Sequence, residues 1–356
     1  MTLRDIALGL AFAGLLTGSL GAQQSSGRTS TTSIDVNGRR VENAGYSSVE
    51  GPGGSRSEVT VRSINGRNVP MQSVEERVLE QNSQGKVVER VVRKYDANGS
   101  PAATETVRVE ERKNPDGSST IRSTTYHADV NGRPQLTERA TTQVRKGQAA
   151  ESTTVVERAT LNGSLETVEK ATSVERPEGG GKRQESTTFR RDVSGNFSPA
   201  LQEVKLTTKR GNEETSDVTV YEALQSGKLE VARREVGKTK KNPDGSETEE
   251  VDVYSRFSAS RSGDANASAP RLQEQILRQR IPGAGHSVVE TTSVRARLPN
   301  DPSRFGTFEK VAQTTTTSTD ASGREVKTSE RTVSRRDANG EIGARDVERA
   351  TTVKSK

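Results

Sequence analysis

Asn114-Pro115-Asp116-Gly117-Ser118 returns residue for residue as Asn242-Pro243-Asp244-Gly245-Ser246, 128 residues further on. Between the copies, turn glycines fall at Gly117, Gly132, Gly147, Gly163, Gly180, Gly195, Gly211, Gly227 and Gly245, so 128 residues hold eight short units of about 16. A fixed period of this kind marks a chain built from copies of one small supersecondary unit. The stretches between turns run to 10 or 12 residues and alternate apolar with polar, as at Val59/Val61, Val107/Val109, Val218/Val220 and Val251/Val253. Alternation bounded by Asn-Gly or Asp-Gly reads as strand and hairpin turn.

The turns fall into two classes. One reads Asp-x-Asn/Ser-Gly, at Asp96–Gly99, Asp129–Gly132 and Asp192–Gly195, and later at Asp320–Gly323 and Asp337–Gly340. The other is more varied and includes Asn114–Gly117, Arg145-Lys146-Gly147, Gly179-Gly180-Gly181 and Lys209-Arg210-Gly211. Two classes, one for each end of successive strands, are what an antiparallel meander needs. A parallel solenoid would show one turn type per rung. Two short units make a hairpin of about 32 residues, and both copies of the Asn-Pro-Asp-Gly-Ser turn belong to one edge, four hairpins apart. Fragments of the form Pro134-Gln-Leu-Thr-Glu138, Pro199-Ala-Leu-Gln-Glu203 and Pro270-Arg-Leu-Gln-Glu274 each open a strand after a turn, and on that likeness 271–280 reads as strand rather than helix.

The fold class expected is therefore all-β: a repeat protein of strand-turn units forming an extended, twisted antiparallel β-meander. A closed, barrel-like array and a partly disordered chain are the alternatives. Composition bears on the choice, because 28% apolar and 3% aromatic residues leave little for a deep core. The 54 basic and 48 acidic side chains nearly cancel at a net +6, which removes the strong self-repulsion of a disordered chain. Val and Thr favour strands.

The expected domains are a signal peptide over 1–22, a disordered leader over 23–32, and one hairpin array over 33–356 with a less regular region at 258–310. Met1-Thr2-Leu3-Arg4, the apolar run Ile6–Leu16 and the small residues up to Ala22 have the three-part plan of a secretory signal. The apolar run is short for a membrane span, and no transmembrane segment is expected after its removal. With no cysteine in the chain, disulfides and thiolate metal sites are excluded, and export without disulfides points to a bacterial envelope or extracellular protein.

Tyr95-Asp96-Ala97-Asn98-Gly99 resembles the Tyr-Asp-x-x-Gly core of YD/Rhs repeats. That resemblance covers a single turn, and it implies a place among shells and extracellular modules.

No residue is expected to be catalytic, to bind a cofactor or to hold a metal. Gly-x-Ser-x-Gly and His-Glu-x-x-His are both missing. His127 and His286, the only histidines, read as exposed strand residues. Glu105, Glu110, Glu111, Glu138 and Glu157 alternate with Arg and Lys and read as cross-strand charge ladders rather than paired acids. The Asp-x-Asn-Gly turns lack the further oxygen ligands of a calcium loop, and Gly179-Gly180-Gly181-Lys182 lacks the spacing of a phosphate loop. Interleaved Arg and Glu argue against nucleic acid, and charges on both strand parities argue against a lipid-embedded barrel.

The function expected is thus a non-catalytic, exported structural or adhesive repeat protein of the cell surface or matrix. Self-association or an envelope or matrix polymer would supply its partners. A binding module for an anionic glycan or envelope polymer, working through Thr- and Arg-rich strand faces, is the alternative.

Overall fold

The computed structural model describes residues 25–34, 40–50, 55–64, 67–147, 149–192, 194–224, 226–256, 270–298, 301–337 and 340–354. They form twenty strands and no helix. The first ten are β1 (Ser25–Ile34), β2 (Arg40–Glu50), β3 (Arg56–Ile64), β4 (Arg67–Asn82), β5 (Gly85–Tyr95), β6 (Pro101–Lys113), β7 (Ser119–Ala128), β8 (Pro134–Lys146), β9 (Ala150–Ala159) and β10 (Leu165–Glu178). The second ten are β11 (Gly181–Arg191), β12 (Phe197–Arg210), β13 (Glu213–Ala223), β14 (Leu229–Lys241), β15 (Glu247–Ser255), β16 (Arg271–Pro282), β17 (Ser287–Leu298), β18 (Asp301–Thr319), β19 (Glu325–Arg336) and β20 (Ile342–Lys354). The expected signal peptide 1–22 lies outside the described residues. β1 begins at Ser25, inside the stretch expected as a leader. The expectation that 271–280 is strand holds in β16.

Every strand pairs antiparallel with its neighbours in sequence, which is the expected meander of hairpins. The first strand pairs with two partners: with β2, and over Ser25–Ser33 with β20. The ladder therefore closes on itself, as in the barrel-like alternative, instead of ending in two free edges. Closure answers a physical problem, because a free edge offers unpaired backbone groups to other chains, and open sheets of this many strands curl or split.

Closure also sorts the turns. Hairpins β5–β6, β7–β8, β11–β12 and β19–β20 turn at one rim, with Asp96, Asp129, Asp192 and Asp337 leading their turns. The two Asn-Pro-Asp-Gly-Ser copies join β6 to β7 and β14 to β15, so both lie at the opposite rim, eight strands apart. Asp320–Gly323 joins β18 to β19 and sits at that opposite rim too. Its expected grouping with Asp337–Gly340 is corrected, because the Asp cap is local chemistry that serves either rim. At both rims the same hairpin recurs: Gly117 amide donates to the Asn114 carbonyl at 3.1 Å, and Gly132 amide to the Asp129 carbonyl at 2.9 Å. Each glycine has positive φ, 78° and 77°, the left-handed residue that closes such a loop.

The rims differ in one respect. All ten pairings closed at the rim of Asp96 and Asp129 carry a register shift. Among the ten pairings closed at the other rim, only β4–β5 does. In β8 the extra residue is Thr137, since Thr125 faces Glu138 and Tyr126 faces Leu136. In β12 it is Ala200 and in β14 Ala232. The repeated Pro-x-Leu-x-Glu fragments are these bulges. A bulge bends its strand and raises the local twist, so the wall is curved at one rim by a repeated device.

Paired residues share a face of the sheet, and the register traces two faces around the ring. One carries Val74, Val88, Leu201, Val251, Val253 and Val333; the other carries Val87 and Val347. These eight are the buried apolar side chains among the described residues, and none is buried completely. The wall is one sheet thick, held by its ladders and cross-strand pairs.

Candidate functional site

The chemistry-bearing residues are distributed over the wall, and charge occupies both of its faces. On the valine face, Arg158 Nε meets Glu138 at 2.9 Å, Arg278 Nη1 meets Glu249 at 2.7 Å and Arg335 Nε meets Glu309 at 2.7 Å. On the other face, Arg139 Nε meets Glu157 at 2.7 Å and Arg93 Nη1 meets Glu75 at 2.8 Å. Pairs such as Glu138–Arg158 and Arg139–Glu157 are direct cross-strand partners in register, so these carboxylates are rungs of charge ladders. Glu110 pairs with Arg108 and Glu105 with His127. Each exposed pair contributes about 0.2–1 kcal/mol. Their larger consequence is that both faces are wetted, since a charge on a lipid-facing barrel surface costs about 2–4 kcal/mol at the bilayer midplane.

His127 gathers a constellation that resembles a catalytic triad. Its Nε2 lies 2.9 Å from Glu105 Oε2, and its Nδ1 lies 3.0 Å from the hydroxyl of Thr137. That hydroxyl donates to the Thr125 carbonyl oxygen at 3.1 Å. Its proton is committed to the backbone, and the bulge rather than a nucleophile is what it serves. With His127 50% and Glu105 41% exposed, the group also lacks the shelter that acyl-transfer chemistry requires. His286 is not a strand residue as expected; it stands in the β16–β17 turn with φ of 60°. Among the described residues, no three His, Asp or Glu side chains are grouped closely enough to hold a metal. The turn after β10 leads into a strand, so no helix N-terminus stands behind Gly179–Gly181 to receive a phosphate.

The aspartates of the turns act as caps. Asp116 Oδ1 accepts from the Ser118 amide at 3.0 Å and from its hydroxyl at 2.6 Å. Asp244 does the same with Ser246, at 2.9 Å and 2.7 Å. These bonds favour the carboxylate and hold both groups below the ordinary aspartate value. At Asp320 the bonds come from the Arg324 and Ser322 amides and the Arg324 guanidinium, with the same result.

One organised surface is absent from the expectations. Immediately beyond the bulges, on the face of Val87, Tyr95 faces Pro101, Tyr126 faces Leu136, Phe189 faces Pro199, Tyr221 faces Val231 and Tyr254 faces Leu272. Five hairpins thus set an aromatic ring against an aliphatic side chain at one height, on one face and at one rim. Lys170 Nζ lies 4.5 Å from the Phe197 ring and Arg297 lies 5.1 Å from the Phe305 ring, extending the band with cation–π contacts. A signal for this was present in the sequence: Tyr95, Tyr126, Phe189, Tyr221 and Tyr254 are spaced by 31, 63, 32 and 33 residues, one or two hairpin periods each time.

No family model matches the chain, and no curated protein matches it. Among solved structures, Pseudomonas aeruginosa OccK2 (OpdF) in complex with glucuronate is similar at 10% identity and a TM-score of 0.49, covering 94% of this chain and 96% of its own. OccK7 (OpdD) of the same organism has 8% identity and a TM-score of 0.48, covering 94% and 98%. A mutant of Rh. blastica porin has 9% identity and a TM-score of 0.46, covering 94% and 99%. At these values the likeness is one of barrel plan. The expectation of a secreted structural or adhesive repeat protein, and of a glycan-binding module, is nonetheless corrected. An adhesive array of hairpins would grow and associate at open sheet edges, and a ring closed by β1 and β20 has no edge for adding hairpins or neighbours.

Proposed function

We propose that the chain is a non-enzymatic, water-filled β-barrel conduit of the bacterial envelope, passing small hydrophilic solutes. The observation that carries this reading is the closure of a twenty-strand ladder. Strands spaced about 4.8 Å apart and tilted about 40° give a backbone diameter of about 40 Å for twenty of them. Side chains from a single sheet cannot fill a ring of that width, and strand contacts run from neighbour to neighbour around it. Charged and hydroxyl side chains on both faces suit a wall bathed in water on each side, making the barrel one segment of an aqueous path. The aromatic band on one face favours a second reading, a barrel seated at a membrane interface along one rim.

The absence of cysteine makes one experiment clean. Single cysteines at Thr153 and Thr154, and at Thr172 and Ser173, place a thiol on alternate faces of β9 and β10. Under the conduit reading all four react with a small water-soluble maleimide, and one parity alone excludes a maleimide carrying a large polyethylene glycol. A parity protected from the small reagent only when bilayer is present supports the interfacial barrel. Equal reaction of both parities with the large reagent would overturn both readings.

A further inference from the structure

Asn98-Gly99-Ser100, Asn162-Gly163-Ser164 and Asn196-Phe197-Ser198 each have the Asn-x-Ser spacing of an N-glycosylation acceptor, and all three lie at the bulged rim. The hydroxyl two residues after the asparagine separates them. Thr160 Oγ1 donates to the Ser164 carbonyl at 3.2 Å and lies 2.8 Å from Ser164 Oγ, so that hydroxyl is engaged. Ser198 stands inside β12, paired with Arg190 across the ladder. At the β5–β6 turn the cap works differently, because Asp96 Oδ1 accepts from the Asn98 amide at 2.8 Å and the Ser100 amide at 2.9 Å. Asn98 and Ser100 are both exposed, and among the described residues the Asn98 side-chain amide and the Ser100 hydroxyl make no hydrogen bond. We propose that Asn98 is an acceptor for an N-linked glycan, received from a lipid-linked oligosaccharyl diphosphate.

The transfer joins Asn98 Nδ2 to C1 of the first sugar. The C1–O bond to the diphosphate breaks, the lipid diphosphate leaves with that electron pair, and one Nδ2 proton passes to a base of the transferase. An amide nitrogen is a weak nucleophile, so the acceptor has to be held closely, and proximity and orientation supply what reactivity lacks. The free Ser100 hydroxyl offers the transferase both a donor and an acceptor for that purpose. Asp96 Oδ2 is unbonded as well, and it presents a carboxylate two residues before Asn98, a partner for a cation of the enzyme. Gly99, with φ of 82°, closes the hairpin, so the acceptor is offered at the tip without opening the ladder. A glycan at that tip extends off the rim rather than over either face of the wall, and the ring stays open. The inference rests on the envelope placement proposed above, because lipid-linked donors belong to a membrane. Transfer to the purified chain reads the acceptor alone, so a failure there leaves the conduit reading standing.

The folded, purified full chain carries Asn266→Gln, which silences the Asn266-Ala267-Ser268 sequence outside the described residues. It is incubated with a bacterial oligosaccharyltransferase and its lipid-linked donor, and occupancy is read by mass spectrometry of peptides. Transfer to Asn98 is expected, with Asn162 and Asn196 at least about tenfold less occupied, the worth of a hydrogen bond. Asn98→Gln and Ser100→Ala should each abolish modification at this turn. Thr160→Asp gives the second turn the cap of the first, and it should raise Asn162 to the occupancy of Asn98. No transfer, equal occupancy of Asn98 and Asn162 in the parent, or transfer undiminished in Ser100→Ala would overturn the assignment. Transfer seen only after heat denaturation would overturn it too. Circular dichroism checks the fold of each variant, and Thr160→Asp decides the matter at a second turn if Asn98→Gln does not fold.

Discussion

The two rims of the barrel use the same turn and differ in what lies next to it. At the rim of Asp129 a bulge follows every turn, and in five of the ten hairpins an aromatic ring stands between the bulge and the turn; at the rim of Asn114 the strands run straight into the loop, β4–β5 excepted. The turn residues close each hairpin, but they do not shape the wall. Bulges do that, because an extra residue on one strand adds bend and twist while leaving the strand count unchanged. Gathered at one rim with the single exception of β4–β5, they curve that end of the sheet and present alternate side chains differently there, which is where the rings collect. The comparison teaches that the loops are interchangeable between rims and the bulges are not.

Removing a bulge should have the largest effect. Deleting Thr137 forces Leu136 and Pro134 to the opposite face, since a one-residue slip exchanges the faces of every residue beyond it. It also removes the hydroxyl that caps the Thr125 carbonyl. A loss of about 3 kcal/mol in urea unfolding is expected, and an unchanged midpoint would show that the bulge is passive.

The turns should respond alike at both rims. Gly132→Ala and Gly117→Ala, at φ of 77° and 78°, should each lose about 1–2 kcal/mol, with Gly147→Ala, outside the positive-φ set, near zero. Unequal losses for Gly132 and Gly117 would mean that the rims differ in their turns as well. A smaller change is expected from Tyr126→Ala, about 1 kcal/mol or less from its cross-strand pair with Leu136. The matching truncation of Ile121 at the straight end of the same strand should cost no more than this if the band is an ordinary cross-strand contact.

Acid should produce the smallest effect. Asp116, Asp244 and Asp320 all lie at the straight rim, and all three are held below the ordinary aspartate value of 3.8. A depressed folded value means that the stabilising bonds are fully present above the unfolded value and are lost as pH falls through the folded one. The Ser118 and Ser246 amide signals should therefore titrate with midpoints below 3.8. Midpoints at or above that value would contradict the caps.

Much of this architecture was legible in the sequence because the turns are local. Asp-x-Asn-Gly and Asn-Pro-Asp-Gly-Ser state their own conformation within five residues, and alternation between them states the strand. Closure was not legible, since the residues that pair β1 with β20, such as Thr29 with Ala350, are separated by the whole chain and carry no mark of their partner. The bulges were half visible: the Pro-x-Leu-x-Glu fragments were recognisable as strand openings, but an extra residue shows only against the opposite strand. The facing of each ring with its aliphatic partner, as Tyr221 with Val231, depends on strands in register, and no short motif records that. The aromatic period of about 32 residues could have been read, and it was hidden by the small number of rings.

The central claim is the closed ring, and one disulfide tests it. Thr29 and Ala350 are direct partners across the closing pair of strands, within the Cα separation that a disulfide can bridge. In the Thr29→Cys, Ala350→Cys variant of a chain without other cysteines, oxidation at low protein concentration should give an intramolecular cross-link in nearly every molecule, seen as a faster-migrating unreduced band. Free thiols, or cross-links only between molecules, would contradict closure and return the sheet to an open array.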